Sequence, residues 1–234
     1  MPLYLSVALG LSAIDTGVRL LPLSLGLLVA AVGIPKLFPL ASPRLVVRLG
    51  FTIVLLGLVV LIAALEVGAG AEITIGPLIL AGIGFGALAS QLGSVTVSSV
   101  SDEDSGEVGG LQNTVTNLGA SIGTAVAGAV LITMLTASFL SGIQDTPDVP
   151  DTLASDASVQ LAGGIPFASD LDLETALDDA GVPPKTATAV VEENESARID
   201  GLRAAISLLA LLALLALFFG HRLPTKQPGA PQTA

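Results

Sequence analysis

The chain has no cysteine, no tryptophan, and one histidine among its 234 residues. Without cysteine it can form no disulfide, thiolate metal site or cysteine nucleophile. The single histidine, His221, is too little for an imidazole metal centre or a Ser-His-Asp triad. The motif HExxH and the phosphate-binding loop are also missing. We therefore expect no enzyme, no metal site and no cofactor.

Charged residues are scarce and unevenly placed. They make up 12% of the chain, the formal net charge is -11, and there are only three lysines. Thirteen of the twenty acids lie between Asp145 and Asp200. A basic surface is what nucleic acid requires, so a nucleic-acid partner is excluded.

The chain is rich in long apolar segments. Hydrophobic residues make up 52% of the chain, and its mean hydropathy is +0.83. Five apolar blocks cover residues 18–41, 49–65, 74–97, 114–140 and 202–220. About 20 helical residues span a hydrocarbon core of about 30 Å, so the blocks predict five transmembrane helices in an all-α membrane protein. A shorter apolar piece, 3–14, indicates the tail of a sixth helix.

The spacing of the blocks predicts how the chain is organised. We expect a transmembrane bundle over 1–140, an acidic loop over 141–201, a last transmembrane helix over 202–220 and a tail over 221–234. Within the loop, Ser169 and Gly181 bracket an amphipathic stretch and predict a short helix over 171–180. Pro184 can open a helix that continues into the last span, which leaves the boundary near Gly201 open.

Basic residues near the span ends predict the orientation. Arg44 and Arg48 precede the second block, and His221, Arg222 and Lys226 follow the fifth. The four crossings between them put both groups on one face, which the positive-inside rule makes cytoplasmic. The sequence thus predicts a multi-pass protein of the cell membrane with a cytoplasmic C-terminus and an extracytoplasmic acidic loop. That loop contains the sequon Asn194-Glu195-Ser196, a triplet that also arises by chance.

Polar residues within the blocks are the candidates for contact with a substrate. Gln91 lies well inside the third block, and Asn113 and Asn117 lie at the start of the fourth. A buried amide in lipid needs a partner, which can be a substrate or simply another helix, and Gln112 and Asn113 can equally cap the fourth span.

Two glycine patterns favour close helix packing. Gly82, Gly84 and Gly86 resemble the start of a dinucleotide-binding turn, but they lie in mid-span, where small residues let helices approach one another. Gly119 and Gly123 form a GxxxG pair that predicts a second packing face.

Several segments together resemble one known family. They are PLYL at 2–5, GLSA at 10–13, TGVRLLP at 16–22 and GGLQNTVTNLGASIGTAVAG at 109–128. In order and spacing, and in the long loop before a final Ala/Leu-rich span, the chain is similar to the C-terminal half of major facilitator superfamily transporters, in the fourteen-span drug:proton antiporter branch.

The resemblance implies a C-terminal helical bundle with five full spans and the tail of a sixth. It implies proton-coupled efflux of drugs or small molecules by alternating access, with substrate held between two halves. Gln91, Asn113 and Asn117 would line the cavity, and Lys36, Arg44 and Arg48 correspond to the family's gating loop, although the Gly and Asp of that loop's signature are missing. The partners would be the lipid bilayer, a small-molecule substrate and an N-terminal transporter half, without which we expect no transport.

A different class of function stays open. The alternative is a membrane scaffold that transports nothing, in which the acidic external loop binds a protein partner or cations. Deletion of 141–200 distinguishes the two, because a transporter domain would still insert and pair whereas a scaffold would lose its partner.

Overall fold

The computed structural model describes residues 1–2, 4–97, 100–101, 103–150, 152, 169–223 and 225. Lys226 and most of the central part of the acidic loop, 153–168, lie outside them. The described residues form six α-helices and no strand: α1 Ala13–Leu37, α2 Pro43–Ala64, α3 Ile75–Val97, α4 Ser105–Asp145, α5 Asp170–Asp179 and α6 Pro184–Phe219. A π-helical turn, Tyr4–Ala8, precedes α1, and 3-10 turns occupy Ala71–Thr74 and Gly220–Arg222.

Five of these helices, all but α5, are long and apolar enough to cross a membrane. This confirms the predicted fold class, an all-α membrane bundle. α3 matches its apolar block almost residue for residue. α1 begins earlier than its block because the Ser12 hydroxyl accepts a hydrogen bond from the Asp15 amide at 3.1 Å and so caps the helix at Ala13.

The predicted start of the fourth helix is wrong. α4 begins at Ser105, not at Thr114, and Gln112 and Asn113 lie inside it rather than capping it. The Asp104 carbonyl accepts from the Val108 amide at 3.1 Å, and Glu107 places a negative charge in the first turn, where the helix dipole favours it. These polar starting signals extend the helix beyond its apolar block.

α4 and α6 are longer than a bilayer requires. With 41 and 36 residues they measure about 60 and 54 Å, against a hydrocarbon core of about 30 Å. The prediction that the last span continues back to Pro184 is confirmed. Gly201, the expected boundary, lies inside α6, and a Cβ there would come within 2.8 Å of the Leu131 carbonyl oxygen of α4. The glycine therefore allows a close helix contact and does not end a helix.

The chain divides into two compact units. The first unit comprises Met1–Val18, Ala64–Ala71 and Val126–Ile206, and the second comprises Arg19–Ala63, Glu72–Ala125 and Ser207–Ala234.

The core of the first unit is formed by α4 and α6. Leu135, Phe139 and Ile143 recur every four residues on α4 and pack with Ala189, Val190 and Ala197 of α6. α5 adds Leu173 and Leu177 to this core. The predicted surface helix is confirmed as α5: Ser169 caps its start, and Gly181, with φ of +71°, follows its end.

In the second unit α3 packs between α1 and α2. Cβ atoms at Gly82 and Gly86 would collide with the Leu23 and Leu27 carbonyls of α1, and one at Gly84 would lie 2.7 Å from the Gly50 carbonyl oxygen of α2. The predicted packing role of these glycines is confirmed. The pair on α4 differs, because a Cβ at Gly119 or Gly123 meets nothing within 4 Å. In the part of the chain that the structure describes, that expected packing face has no partner.

Candidate substrate-facing surface

Asn113 and Asn117 lie one turn apart on α4 and both are exposed. The Asn117 amide nitrogen donates to the Asn113 side-chain oxygen at 3.3 Å. At 100° per residue, further polar or small residues fall within about 100° of the same side of the helix. This surface, the α4 polar face, consists of Gly110, Asn113, Thr114, Asn117, Ser121, Thr124 and Gly128.

The hydroxyl groups of this part of α4 bond to their own helix. Thr114 donates to the Gly110 carbonyl at 3.0 Å, and Ser121 donates to the Asn117 carbonyl at 2.9 Å. On a neighbouring face, Thr116 donates to the Gln112 carbonyl at 2.8 Å. Such bonds let a helix carry hydroxyl groups in an apolar environment, because each hydroxyl proton is already paired.

The opposite side of the same helix segment is apolar. Its side chains are 45–63% exposed, and they follow the helical repeat: Leu111, Val115, Leu118, Ile122 and Val126. The first buried residue of α4 is Leu135, so neither side of the first half of the helix is covered by the described residues. A helix of this kind fits between lipid on one side and a polar space on the other.

Gln91 occupies a different environment. It is 5% exposed in the interior of the second unit, and its amide nitrogen donates to the Ser90 hydroxyl at 3.2 Å. Ser90 in turn donates to the Ala87 carbonyl at 2.6 Å. The structure therefore joins Asn113 and Asn117 on one exposed face and places Gln91 inside the helix packing.

The basic residues predicted as a gating loop are mostly helical. α2 begins at Pro43, so Arg44 and Arg48 lie in its first turns, while Lys36 lies in the last turn of α1 and is exposed. Arg44 Nε donates to the Leu223 carbonyl at 2.7 Å. This contact brings together the two basic groups from which the orientation was predicted.

Sequence reasoning missed a buried ion cluster in the first unit. Arg198 of α6 is 3% exposed, and its guanidinium lies 2.6 Å from the carboxylate of Asp170 at the start of α5. Asn194, 2% exposed, donates to the same carboxylate at 3.5 Å. The sequon asparagine is therefore enclosed. The only sequence signal was a lone arginine four residues after an asparagine in an acidic stretch.

Glu195 completes this cluster. Burial raises the pKa of Glu195 above its usual 4.5, and the negative charge of Asp170 and a hydrogen bond to it raise the pKa further. Arg198 acts in the opposite direction but more weakly. The fold therefore favours the protonated form of this carboxyl.

Three other acids of the predicted loop make contacts outside the cluster around Arg198. Lys185 pairs with Asp148 at 2.7 Å, Ser138 donates to Asp200 at 2.7 Å, and Thr146 donates to Glu193 at 2.8 Å. Among the residues described, three or more potential ligands from His, Asp and Glu do not come together anywhere.

The chain is similar to the tetracenomycin C resistance and export protein of Streptomyces glaucescens. The two are 29% identical over 223 residues, which cover 91% of this chain and 38% of that protein. The chain thus spans well under half the length of this relative. No family model matches the sequence, and no solved structure matches it. Together with the five candidate spans, the similarity describes a multi-pass membrane protein related to an export protein.

Proposed function

We propose that this chain is the C-terminal part of a proton-coupled efflux transporter of the major facilitator type, in the fourteen-span drug:proton antiporter branch, which exports drugs or small molecules by alternating access. The α4 polar face would form one wall of the substrate pathway. Asn113 and Asn117 would contact the substrate there, and Gln91 would support the wall from the interior.

The observation that carries the proposal is the first half of α4. Its polar and apolar sides are both uncovered by the described residues. Leucine, valine and isoleucine can face lipid, but the side-chain amides of two asparagines need a polar neighbour. A water-filled pathway, closed on its far side by another part of the transporter, supplies one.

The similarity to an export protein supports the same proposal. The chain aligns with 38% of that relative, which leaves room there for the helices of a second half. In a two-part transporter the substrate site lies between the repeats, so each part contributes one wall. Tetracenomycin C, the compound in the name of the relative, is a reasonable first substrate to test.

The chain is suited to a direct test because it has no cysteine of its own. We suggest single substitutions Asn117→Cys on the polar face and Leu118→Cys on the apolar side, each in the chain reconstituted with the rest of its transporter. A charged, membrane-impermeant maleimide should label Asn117→Cys at least tenfold faster, because the thiolate forms readily in water and hardly at all in lipid. Added substrate should slow the labelling of Asn117→Cys only.

Two controls define what contradicts the proposal. Val115→Cys, also on the apolar side, should behave like Leu118→Cys, and both should react after the membrane is dissolved in detergent. Equal labelling of the two sides in the bilayer, or no labelling of Asn117→Cys, would show that the polar face does not line an aqueous pathway.

A further inference from the structure

A groove with a cavity volume of about 590 Å³ lies on the second unit, away from the α4 polar face. It is lined by Arg48 of α2 and by residues from the end of α6 and the turn after it: Leu214, Leu215, Leu217, Phe218 and His221. Neither the proposed substrate wall nor the helix packing accounts for this groove.

The long wall of the groove is apolar and open. Leu214 and Leu215 are each about half exposed, and Phe218 is 71% exposed. All three belong to a helix that can span a membrane. An apolar channel on a transmembrane helix matches an acyl chain in shape and chemistry.

The end of the groove is cationic. Arg48 lies at its rim, where its Cγ is within van der Waals reach of Gly220: a Cβ added to that glycine would lie 3.4 Å from it. His221 Nδ1 lies 2.6 Å from the Phe218 carbonyl oxygen and, since a carbonyl only accepts, Nδ1 is the donor in this contact.

Two more cations stand beside this rim. The Arg222 guanidinium lies 5.6 Å from the centre of the Phe219 ring. Arg44 of α2 donates a hydrogen bond to the Leu223 carbonyl. None of the residues lining the groove is acidic, and the sequence has no acid over 43–64 or 207–225. The positive end of the α2 dipole adds to the same field.

We propose that this groove binds one anionic phospholipid, with the phosphate of its headgroup at Arg48, beside Arg222, and an acyl chain along Leu214, Leu215 and Phe218. Charge complementarity selects an anionic over a zwitterionic headgroup, since a basic pocket between transmembrane helices attracts negative lipids. The proposal needs only the membrane-spanning bundle, not the transport function.

The test compares phosphatidylglycerol with phosphatidylcholine of identical acyl chains. Native mass spectrometry of the full chain in detergent should show one tightly bound phosphatidylglycerol, retained at least tenfold better than phosphatidylcholine. This preference follows from a contribution of about fivefold for each cationic side chain near the phosphate. The double variant Arg48→Gln/Arg222→Gln should reduce that preference to within about twofold. Equal retention of the two lipids by the unsubstituted chain would overturn the proposal.

Lys36→Gln is the matched control, because it removes one exposed cation that does not line the groove. It should keep the preference for phosphatidylglycerol, and a loss as large as that of the double variant would refute a defined site. Glycerol 3-phosphate at millimolar concentration should not displace the lipid, since displacement would assign the rim to free phosphate. If the double variant does not fold, the unsubstituted chain still decides: phosphatidylglycerol should raise its melting temperature in a saturable way, and an equal rise with phosphatidylcholine would contradict the proposal.

Discussion

Arg198 is the residue on which the packing of α5 against α6 depends. It is almost fully enclosed, and Asp170, Asn194 and Glu195 surround it with two carboxyl groups and an amide. A buried ion pair adds little net stability by itself, because both charges lose their hydration. Removal of Arg198 is costly, however, because it leaves the Asp170 carboxylate, which is 28% exposed, without its cation.

We expect Arg198→Met to destabilise the first unit by about 2–3 kcal/mol, less than the usual cost of breaking a fully buried pair because Asp170 keeps part of its hydration. Thermal unfolding of the purified chain, followed by limited proteolysis near 170–181, would measure the loss and locate it. Lys185→Met is the matched control, since Lys185 and Asp148 form an exposed pair worth at most about 1 kcal/mol. Similar losses in both variants would contradict the special role of the buried arginine.

Glu195 makes the stability of the first unit depend on pH. Its pKa is raised in the folded chain, so between 4.5 and that raised value the folded state binds more protons than the unfolded state. The stabilisation that the Glu195 carboxyl contributes is therefore fully present below about pH 4.5. It is lost as the pH rises through the pKa that Glu195 has in the folded chain. Glu195→Gln, which imitates the protonated form, should remove this part of the pH dependence.

Melting temperatures from pH 4.5 to 7.5 would test this expectation. Glu174→Gln removes one exposed carboxyl of α5 and serves as the control. The melting temperature of Glu195→Gln should fall less with rising pH than that of the control or of the unsubstituted chain. Parallel curves for all three would show that the Glu195 carboxyl carries no such coupling.

At the scale of the elements, α3 owes its position to glycines on two sides. Gly82 and Gly86 lie against α1, and Gly84 lies against α2, so backbone approaches backbone with no side chain between them. In a membrane, where lipid is as apolar as leucine, such close van der Waals contact is a main source of helix association.

We expect Gly82→Ala to force α3 away from α1 and to destabilise the second unit by about 1–3 kcal/mol, the usual cost of overpacking. Gly119→Ala is the matched control, because a Cβ there meets nothing within 4 Å. Alanine at that position should be neutral or slightly stabilising, by up to about 1 kcal/mol, since it favours the helix. Thermal unfolding in detergent measures both, and an equal loss at the two positions would argue against specific packing at Gly82.

Most elements could be predicted from the sequence because their signals are local. Apolar length located the five spans, and Ser169, Gly181 and Pro184 located α5 and the start of α6. The start of α4 was missed because 105–113 is poor in large apolar residues, although Asp104 and Glu107 mark a helix start. The contact of Asp170 with Arg198 could not be predicted, because tertiary packing alone brings together residues 28 positions apart.

At the scale of the whole molecule, the first half of α4 has both sides open, and the chain matches only part of the length of its relative. The proposed pathway would therefore have one wall here and would need a second part of the transporter to close it. Alternating access requires two parts that move against each other.

We expect this chain alone, purified and reconstituted, to drive no export. Vesicles with an imposed proton gradient should accumulate tetracenomycin C, or another tested drug, no faster than empty vesicles. The same chain joined to the rest of its transporter should do so, and Asn113→Ala/Asn117→Ala in that longer protein should lower the rate by at least tenfold. Gradient-driven transport by the isolated chain would refute the proposal that it is only one part.

The hydrogen bonds made by the hydroxyl groups of the α4 polar face affect which substrates the proposed pathway would accept. The Thr114 and Ser121 hydroxyls donate hydrogen bonds to backbone carbonyls of the helix, and the Asn117 amide donates one to the Asn113 side-chain oxygen. These hydroxyl oxygens therefore offer a solute only their lone pairs, which can accept hydrogen bonds but not donate them. A solute that reaches this wall with several O–H or N–H groups finds acceptors for them in these oxygens, whereas one that carries only carbonyl or ether oxygens must use the amide N–H groups of Asn113 and Asn117.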